Sequence, residues 1–353
     1  MSRLHRSLVG LMFALLLAGC LGPAPTPPVD EGESAPLETP GPGTYLFCFW
    51  NVENFFDDQD DDRHTRGDKQ YDDWFAHDQA ALKQKLDNLA EVLLGMNDGK
   101  GPDILALAEV ESLRAAELLQ ETLNARLGKR ALPYAAVLFE NPKGGRHIAT
   151  AILTRLPVKK GRTRLLGTRL RILQGRIHVA DRPLTIIASH WSSRLSDKTG
   201  VTRAGKYADQ IYGHFKGAYI ANPKVDFLVC GDFNDNPDDE SVTDHLHATG
   251  DAEAVQAGGD EPKMYNLMAS LWKDGSASIY NRATPYLFDQ ICVSPGMLDD
   301  EGWSVEPDTA RVVAKMAHPN GRPNRFGGPK DRPPLSSRGA SDHFPVVVRL
   351  RVR

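Results

Sequence analysis

The residues of this chain that could do chemistry sit at the ends of short apolar runs. Glu109 closes Ile104-Leu105-Ala106-Leu107-Ala108. A carboxylate there is costly unless it reaches solvent or a cation. A hard cation such as Mg2+ takes oxygen ligands, often one or two carboxylates beside a substrate phosphate. The same acid would also suit the N-terminal end of a helix starting after Ser112. Phe227-Leu228-Val229-Cys230 runs into Gly231-Asp232-Phe233-Asn234. Asp232 and Asn234 share one face of an extended chain, and Gly231 lets the backbone come close. One could accept a proton from water while the other donates to a phosphoryl oxygen; Asp235-Asn236-Pro237 after them reads as a turn. Asp289 interrupts the apolar run 287–293, so it needs a partner, and His343 in Ser341-Asp342-His343-Phe344-Pro345 is the obvious one. A carboxylate-held imidazole has a fixed tautomer and a raised pKa.

Other clusters are less specific. His190 opens His190-Trp191-Ser192-Ser193-Arg194 at the end of Ile186–Ser189. It is a candidate acid/base or phosphate ligand, and Ser192, Ser193 and Arg194 add donors suited to phosphate. Asn51 leaves the run Phe49-Trp50 and fits a turn as well as a site. Arg146 precedes Ile148–Leu153, where it either contacts phosphate or is solvated. The acidic run Asp57, Asp58, Asp60, Asp61 and Asp62 lacks the glycine and closing glutamate of a calcium loop and reads as a solvated loop.

The elements that must position these residues follow from periodicity. Apolar runs at 45–50, 103–108, 134–139, 148–153, 164–173, 184–189, 225–230, 287–293 and 344–350 predict strands. Leu82, Leu86, Leu89, Val92 and Leu93 have helical spacing, as do Leu113, Leu118, Leu119 and Leu123, and then Tyr207, Ile211 and Phe215. Strands interleaved with helices predict an α/β class with a mixed sheet. Residues 317–340, rich in proline and glycine, read as a long surface loop. Cys48, Cys230 and Cys292 each lie in an apolar run and read as buried thiols.

The ordered set WNVEN, LAEVE, SHW, GDFND, FDQICVS and SDHFPV, from about Phe47 to Val352, resembles the endonuclease/exonuclease/phosphatase superfamily. The resemblance implies a four-layer α/β/β/α sandwich with two mixed β-sheets packed face to face and the site at one end. It implies hydrolysis of phosphate esters with a divalent metal, Mg2+ first and Mn2+ or Ca2+ as alternatives. Glu109, Asn51 and Asp342 would hold the metal, and Asp232 would orient or deprotonate the attacking water. Asn234 would hold a phosphate oxygen, and His343 with Asp289 behind it would stabilise the transition state. His190 would sit opposite as phosphate ligand or leaving-group acid. Many members carry Leu where this chain has Trp191.

The N-terminus reads as a targeting segment. Arg3, His5 and Arg6 precede a short apolar stretch, Leu8 to Leu17, ending Leu17-Ala18-Gly19-Cys20. The ending resembles the lipobox of bacterial lipoproteins, which implies a signal peptide at 1–19 and lipidation of Cys20. Residues 20–43 form a proline-rich tether, and 44–353 the catalytic domain. A lipid-anchored position in the bacterial cell envelope, outside the cytoplasm, is expected.

Composition sets no limit on the fold: 353 residues, 41% hydrophobic and 25% charged, are ordinary globular values. Formal net charge is -4, and losing Arg3 and Arg6 with residues 1–19 makes it -6, so the overall charge does not point to a polyanion. Local basic loops do: Lys315, Arg322, Arg325, Lys330, Arg332 and Arg338 near His343, and Arg194, Lys198, Arg203 and Lys206 near His190. Nucleic acid is therefore the first expected substrate. A phospholipid head-group phosphodiesterase or phosphatase is the second, and a non-catalytic binding lipoprotein the third. No protein partner is implied.

Overall fold

A computed structural model describes residues 40–61, 63, 65–159 and 161–353. The signal peptide, Cys20 and nearly all of the tether lie outside the described residues. Thr39–Arg353 form one compact unit.

The first half of the chain contributes β1 (Gly43–Phe55), α1 (Arg66–His77), α2 (Gln79–Leu94), β2 (Ile104–Val110), α3 (Leu113–Leu127), β3 (Ala136–Phe139) and β4 (Ala149–Thr154). There follow β5 (Arg164–Leu165), β6 (Ile172–Val179), β7 (Arg182–His190), α4 (Asp209–Ala221) and β8 (Phe227–Asp232). Next come β9 (Ala248–Thr249), α5 (Ala252–Gln256), β10 (Met264–Asn266), α6 (Met268–Lys273) and the ribbon β11 (Ile279–Asn281) with β12 (Thr284–Tyr286). β13 (Asp289–Val293), β14 (Trp303–Val312) and β15 (Val346–Val352) complete the fold.

Two large sheets result, ordered β14-β15-β1-β2-β4-β3 and β5-β6-β7-β8-β13-β10-β9. Both mix parallel and antiparallel neighbours: β1 runs parallel to β2 and antiparallel to β15, and β7 runs parallel to β8, which is antiparallel to β13. Alternation along β1 shows why the sheets stack. Phe47 and Phe49 point into a dry layer shared with Ile186, Leu228, Ile291 and Val348, between the sheets. Cys48, Trp50 and Val52 point the other way, onto Leu86, Leu89 and Leu119 of α2 and α3. The second sheet is covered outside by Ile211 and Phe215 of α4 against Phe227 and Val229. The layers are thus helix, sheet, sheet, helix, as expected.

Some boundaries differ from the sequence reading. The run 164–173 is two strands, broken by a turn with Gly167 at φ 79°. Helix α1, whose apolar Tyr71, Trp74 and Phe75 span little more than one turn, and strand β14, whose apolar pattern is interrupted, are not among the expected elements. The segment 317–340 is irregular but not merely superficial: Phe326 is buried, and Arg338 is buried with its guanidinium donating to carbonyls of Phe326, Gly328, Asp331 and Pro333. The three described cysteines are free and buried. Among the described residues no helix is long and apolar enough to cross a membrane.

Candidate active site

The central strands of both sheets end at one edge. From the first sheet come Asn51 on β1, Glu109 on β2 and Asp342-His343 just before β15. From the second, adjacent strands pair His190 with Asp232 and Asp232 with Asp289, so the three sit on one rung. The sheet interrupts itself where these side chains must turn inward. Register shifts occur between Asn51 and Phe55 and across Glu109. Glu53, Asn54, Glu109 and Asn234 all adopt left-handed backbone, with φ from 44° to 62°. Such residues cost of order 1–3 kcal/mol each and persist where the surroundings over-determine them.

His343 and Asp289 form the buried pair expected from the sequence. His343 Nδ1 lies 2.7 Å from Asp289 Oδ2. Burial alone would lower the imidazole pKa, but Asp289, Asp232 and Asp342 outweigh it and raise it well above the ordinary value. That shift favours the protonated ring, whose Nε2 faces Asp232 Oδ2 at 3.7 Å.

His190 stands on the other side of the same carboxylate, Nε2 to Asp232 Oδ2 at 3.7 Å and to Glu109 Oε1 at 3.9 Å. Its Nδ1 lies 3.1 Å from Nη1 of Arg171. A guanidinium can only donate, so Nδ1 accepts and Nε2 carries the proton. Burial first, then Arg171, His343 and Arg146, hold its pKa well below the ordinary value. The two imidazoles thus stand 3.7 Å from one carboxylate oxygen with their pKa values shifted in opposite directions. A depressed pKa with Nδ1 facing Arg171 favours a neutral ring that donates through Nε2. Arg171 escaped the sequence reading because it lies inside the apolar run 164–173, where it reads as one polar position of a strand, and nothing in the run points to His190.

Asp232 is buried, and burial together with Asp289 raises its pKa against the pull of His343. Its Oδ1 accepts from the Asn234 N–H at 2.9 Å and its Oδ2 from Asn51 Nδ2 at 3.0 Å. Asn234 donates through Nδ2 to Trp191 O at 3.2 Å. Asn51 lies where the expected metal site needs it. Its oxygen accepts from the Glu53 N–H, and its amide nitrogen faces Glu109 (3.4 Å) and Asp232. In this arrangement it orients two carboxylates.

Glu109 is fixed by the Asn54 N–H at 2.8 Å. Asp342 is raised to about 7 by burial and by the neighbouring carboxylates Glu53 and Glu109, with His343 opposing. Three acids crowded this way suit a hard divalent cation held by Glu109 and Asp342, so the donor set fits the expected metal. Arg325, which pairs with Glu53 at 3.0 Å, offsets part of that charge. Beneath the site lies Lys85, fully buried on α2. Its ammonium donates to Val52 O, Glu53 O and Ala340 O at 2.5, 3.0 and 2.7 Å. Burial lowers its pKa to about 8 although Glu53, Asp342 and Glu109 pull upward.

Several expected contacts are placed elsewhere. Arg194 donates to Asn234 O at 2.9 Å, pairs with Asp235 and Asp239, and stacks on Tyr286 and Phe288. Through Nε and Nη2 it braces the Asn234 turn. Arg146 binds Asp68 Oδ1 and Asn54 Oδ1, both at 2.6 Å, beside the Glu109 side of the site. Arg203 pairs with Asp235 at 2.7 Å and Arg325 with Glu53, so the basic rim is thinner than the sequence suggested. Lys198, Lys206, Lys315, Arg322, Lys330 and Arg332 have no acidic partner among the described residues.

The acidic run is also not uniformly solvated. Asp58, Asp60 and Asp61 are exposed, but Asp57 is buried and accepts from Ser112 Oγ, which caps α3; Asp62 lies outside the described residues. Carboxylate oxygens of Asp57, Asp61 and Glu111 lie within 4.8 Å of one another. Arg63 pairs with both Asp61 and Glu111, so this group already holds a cation of its own.

The sequence model of the Endonuclease/Exonuclease/phosphatase family matches residues 46–352. No curated protein sequence matches the chain. Among solved structures, truncated TDP2 of Caenorhabditis elegans superposes with a TM-score of 0.51 at 14% identity, covering 88% of this chain and 98% of that one. The human nocturnin catalytic domain, with bound sulfate, gives 0.51 at 14% identity over 88% and 95%. A family protein from Bacteroides thetaiotaomicron gives 0.51 at 13% identity over 88% and 99%. At such identities the likeness establishes the fold.

Proposed function

The chain belongs to the endonuclease/exonuclease/phosphatase family, whose members are typically metal-dependent phosphoester hydrolases, and we propose on that premise that it is a divalent-metal-dependent phosphodiesterase acting on nucleic acid outside the cytoplasm. One observation carries the reading: Asp232 Oδ2 lies 3.7 Å from the Nε2 atoms of two imidazoles, one from each sheet. That arrangement suits a phosphoryl group approached by water.

Asp232, with its pKa raised by burial, accepts the proton of the attacking water as the new P–O bond forms. The bond to the ester oxygen breaks, and the leaving oxygen takes a proton from solvent. Imidazolium His343, held by Asp289, faces the charge that accumulates on the phosphoryl oxygens, and His190 donates Nε2–H to the same group. Asn234 holds a phosphate oxygen with its remaining amide hydrogen. A divalent ion held by Glu109 and Asp342 would supply Lewis-acid polarisation of the phosphate. Mg2+ is the first candidate, with Mn2+ or Ca2+ as alternatives.

The lipobox-like Leu17-Ala18-Gly19-Cys20 supports a lipid anchor on Cys20 and a place in the bacterial cell envelope. Two acyl chains or more are needed for stable attachment. The same anchor favours a second reading, hydrolysis of phospholipid head groups at the surface to which the domain is tethered. A binding lipoprotein without activity would have no use for Asp232, His190, Asp289 and His343 brought together at one end of both sheets.

The decisive experiment offers the protein plasmid DNA, RNA, sphingomyelin and a generic bis-ester, with Mg2+ and with chelator. Cleavage of nucleic acid that stops on chelation is expected. Turnover that survives chelation removes the metal, and turnover of lipid alone reverses the order of the two readings.

A further inference from the structure

The β11–β12 ribbon is rooted in the catalytic pair. Ile279 bridges His343 directly. Phe344 N–H donates to Ser278 O at 2.8 Å, and Asp289 N–H donates to Ser278 Oγ at 3.3 Å. Whatever the ribbon binds is therefore held beside His343.

Its two faces differ. Ile279 pairs with Tyr286 and Tyr280 with Pro285, so Tyr286 and Tyr280 project to opposite sides. On the Tyr286 side, Tyr286 and Phe288 lie 4.8 Å apart with the Arg194 guanidinium over both, and Arg194 is neutralised by Asp235 and Asp239. That face is closed. On the Tyr280 side, only Arg322 lies over the ring, at 5.5 Å from its centroid. Arg322 is held by a tight turn, in which Ala317 bridges Pro323 and His318 N–H donates to Arg322 O at 2.8 Å. No acid pairs with Arg322 among the described residues. Exposed Arg282, at the ribbon tip, adds a second cation.

We propose that Tyr280 and Arg322 form a stacking subsite for the nucleotide next to the scissile phosphate, on the His343 side. This inference rests on the nucleic-acid function proposed above. A guanidinium over a tyrosine leaves a flat, positively charged surface. Such a surface repels a quaternary ammonium, so it is the wrong site for a choline head group. It suits a planar base, which stacks on guanidinium and ring alike, with its phosphate held by the charge. Base stacking is sequence-tolerant, so the subsite contributes affinity without fixing a sequence.

The test is fluorescence anisotropy of the full chain carrying Asp232→Asn, which silences hydrolysis, in Mg2+. The probes are a single-stranded oligothymidylate of about 12 nucleotides and an abasic strand of equal length, to keep phosphate count constant. Oligothymidylate is expected to bind roughly 10-fold tighter than the abasic strand. Tyr280→Ala and Arg322→Ala should each bring the two affinities to within about 2-fold of one another, by removing the stacking surface. Arg322 lies on a loop, so its variant remains informative if Tyr280→Ala misfolds. Equal affinity in the parent, or a preference that survives Arg322→Ala, overturns the subsite. Tighter binding to phosphatidylcholine vesicles than to oligothymidylate overturns it as well. Plasmid cleavage by the unsubstituted chain is scored separately: a base preference without cleavage supports the subsite while refuting the nuclease reading.

Discussion

At the scale of single residues, the site works by opposed protonation. Two histidines face one carboxylate, and a neighbour sets each: Asp289 holds a proton on His343, while Arg171 forces the only proton of His190 onto Nε2. Asp232→Asn should lower kcat by about 10²–10⁴, the usual worth of a general base, with circular dichroism unchanged and no loss of Tm. Undiminished turnover would remove Asp232 from the reaction. Arg171→Met tests the second setting. Nitrogen-15 NMR of the parent should show a single Nε2–H tautomer of His190. The variant should show a mixture and a kcat lower by about 10-fold, as the donor is misdirected part of the time. An unchanged tautomer with unchanged kcat would reduce Arg171 to packing.

At the scale of elements, α2 serves as a support for loops it does not belong to. Asn88 donates to Arg338 O and Gly339 O at 3.0 and 2.7 Å, and one turn away Lys85 ties Ala340 to the end of β1. The two side chains share a segment but not a role, because only Lys85 also holds Val52 and Glu53 and carries charge beneath the carboxylates. Lys85→Met is expected to lower kcat roughly 10- to 100-fold at unchanged KM, since small displacements of site groups are that costly. Asn88→Ala should cost about 1–2 kcal/mol of stability and leave kcat alone; equal kinetic effects would make Lys85 purely structural. These supports also mark what the sequence could and could not disclose. Asp232, Asp289 and His343 were legible because a polar residue ending an apolar strand is conspicuous. Lys85 sits in an ordinary amphipathic helix, and its partners are backbone carbonyls as far as 255 positions away. Helix α1 is hard to read because its apolar residues Tyr71, Trp74 and Phe75 cover little more than one turn, among charged neighbours that include the buried Asp68 and Asp72. Strand β14 was missed because Glu306, Asp308 and Arg311 interrupt its apolar pattern.

At the scale of the whole molecule, function depends on two sheets keeping their alignment, since each brings half of the site. One tie between them is Asp226, at the start of β8, whose Oδ2 accepts from the Trp303 N–H of β14 at 2.9 Å. Burial raises its pKa to about 7, against the Trp303 hydrogen bond. A carboxyl raised above its unfolded value of about 3.9 binds its proton more tightly when folded, so stability falls as pH climbs from about 4 to about 7. Asp226→Asn keeps an acceptor for Trp303 and removes the charge. Its Tm should exceed the parent's at pH 8 by about 2–4 °C or more, with the gap closing toward pH 4. A gap independent of pH would mean the carboxylate is not the cause.

The position of β15 in the first sheet has a consequence in time. This strand lies between β14 and β1, one place in from the edge of its sheet, yet it is the last strand of the fold in chain order, and Asp342 and His343 immediately precede it. A growing chain can assemble the second sheet, with Asp232, His190 and Asp289 in place, and still lack the imidazolium that faces them. The His343 side of the site is therefore completed only when β15 pairs with β1 and β14.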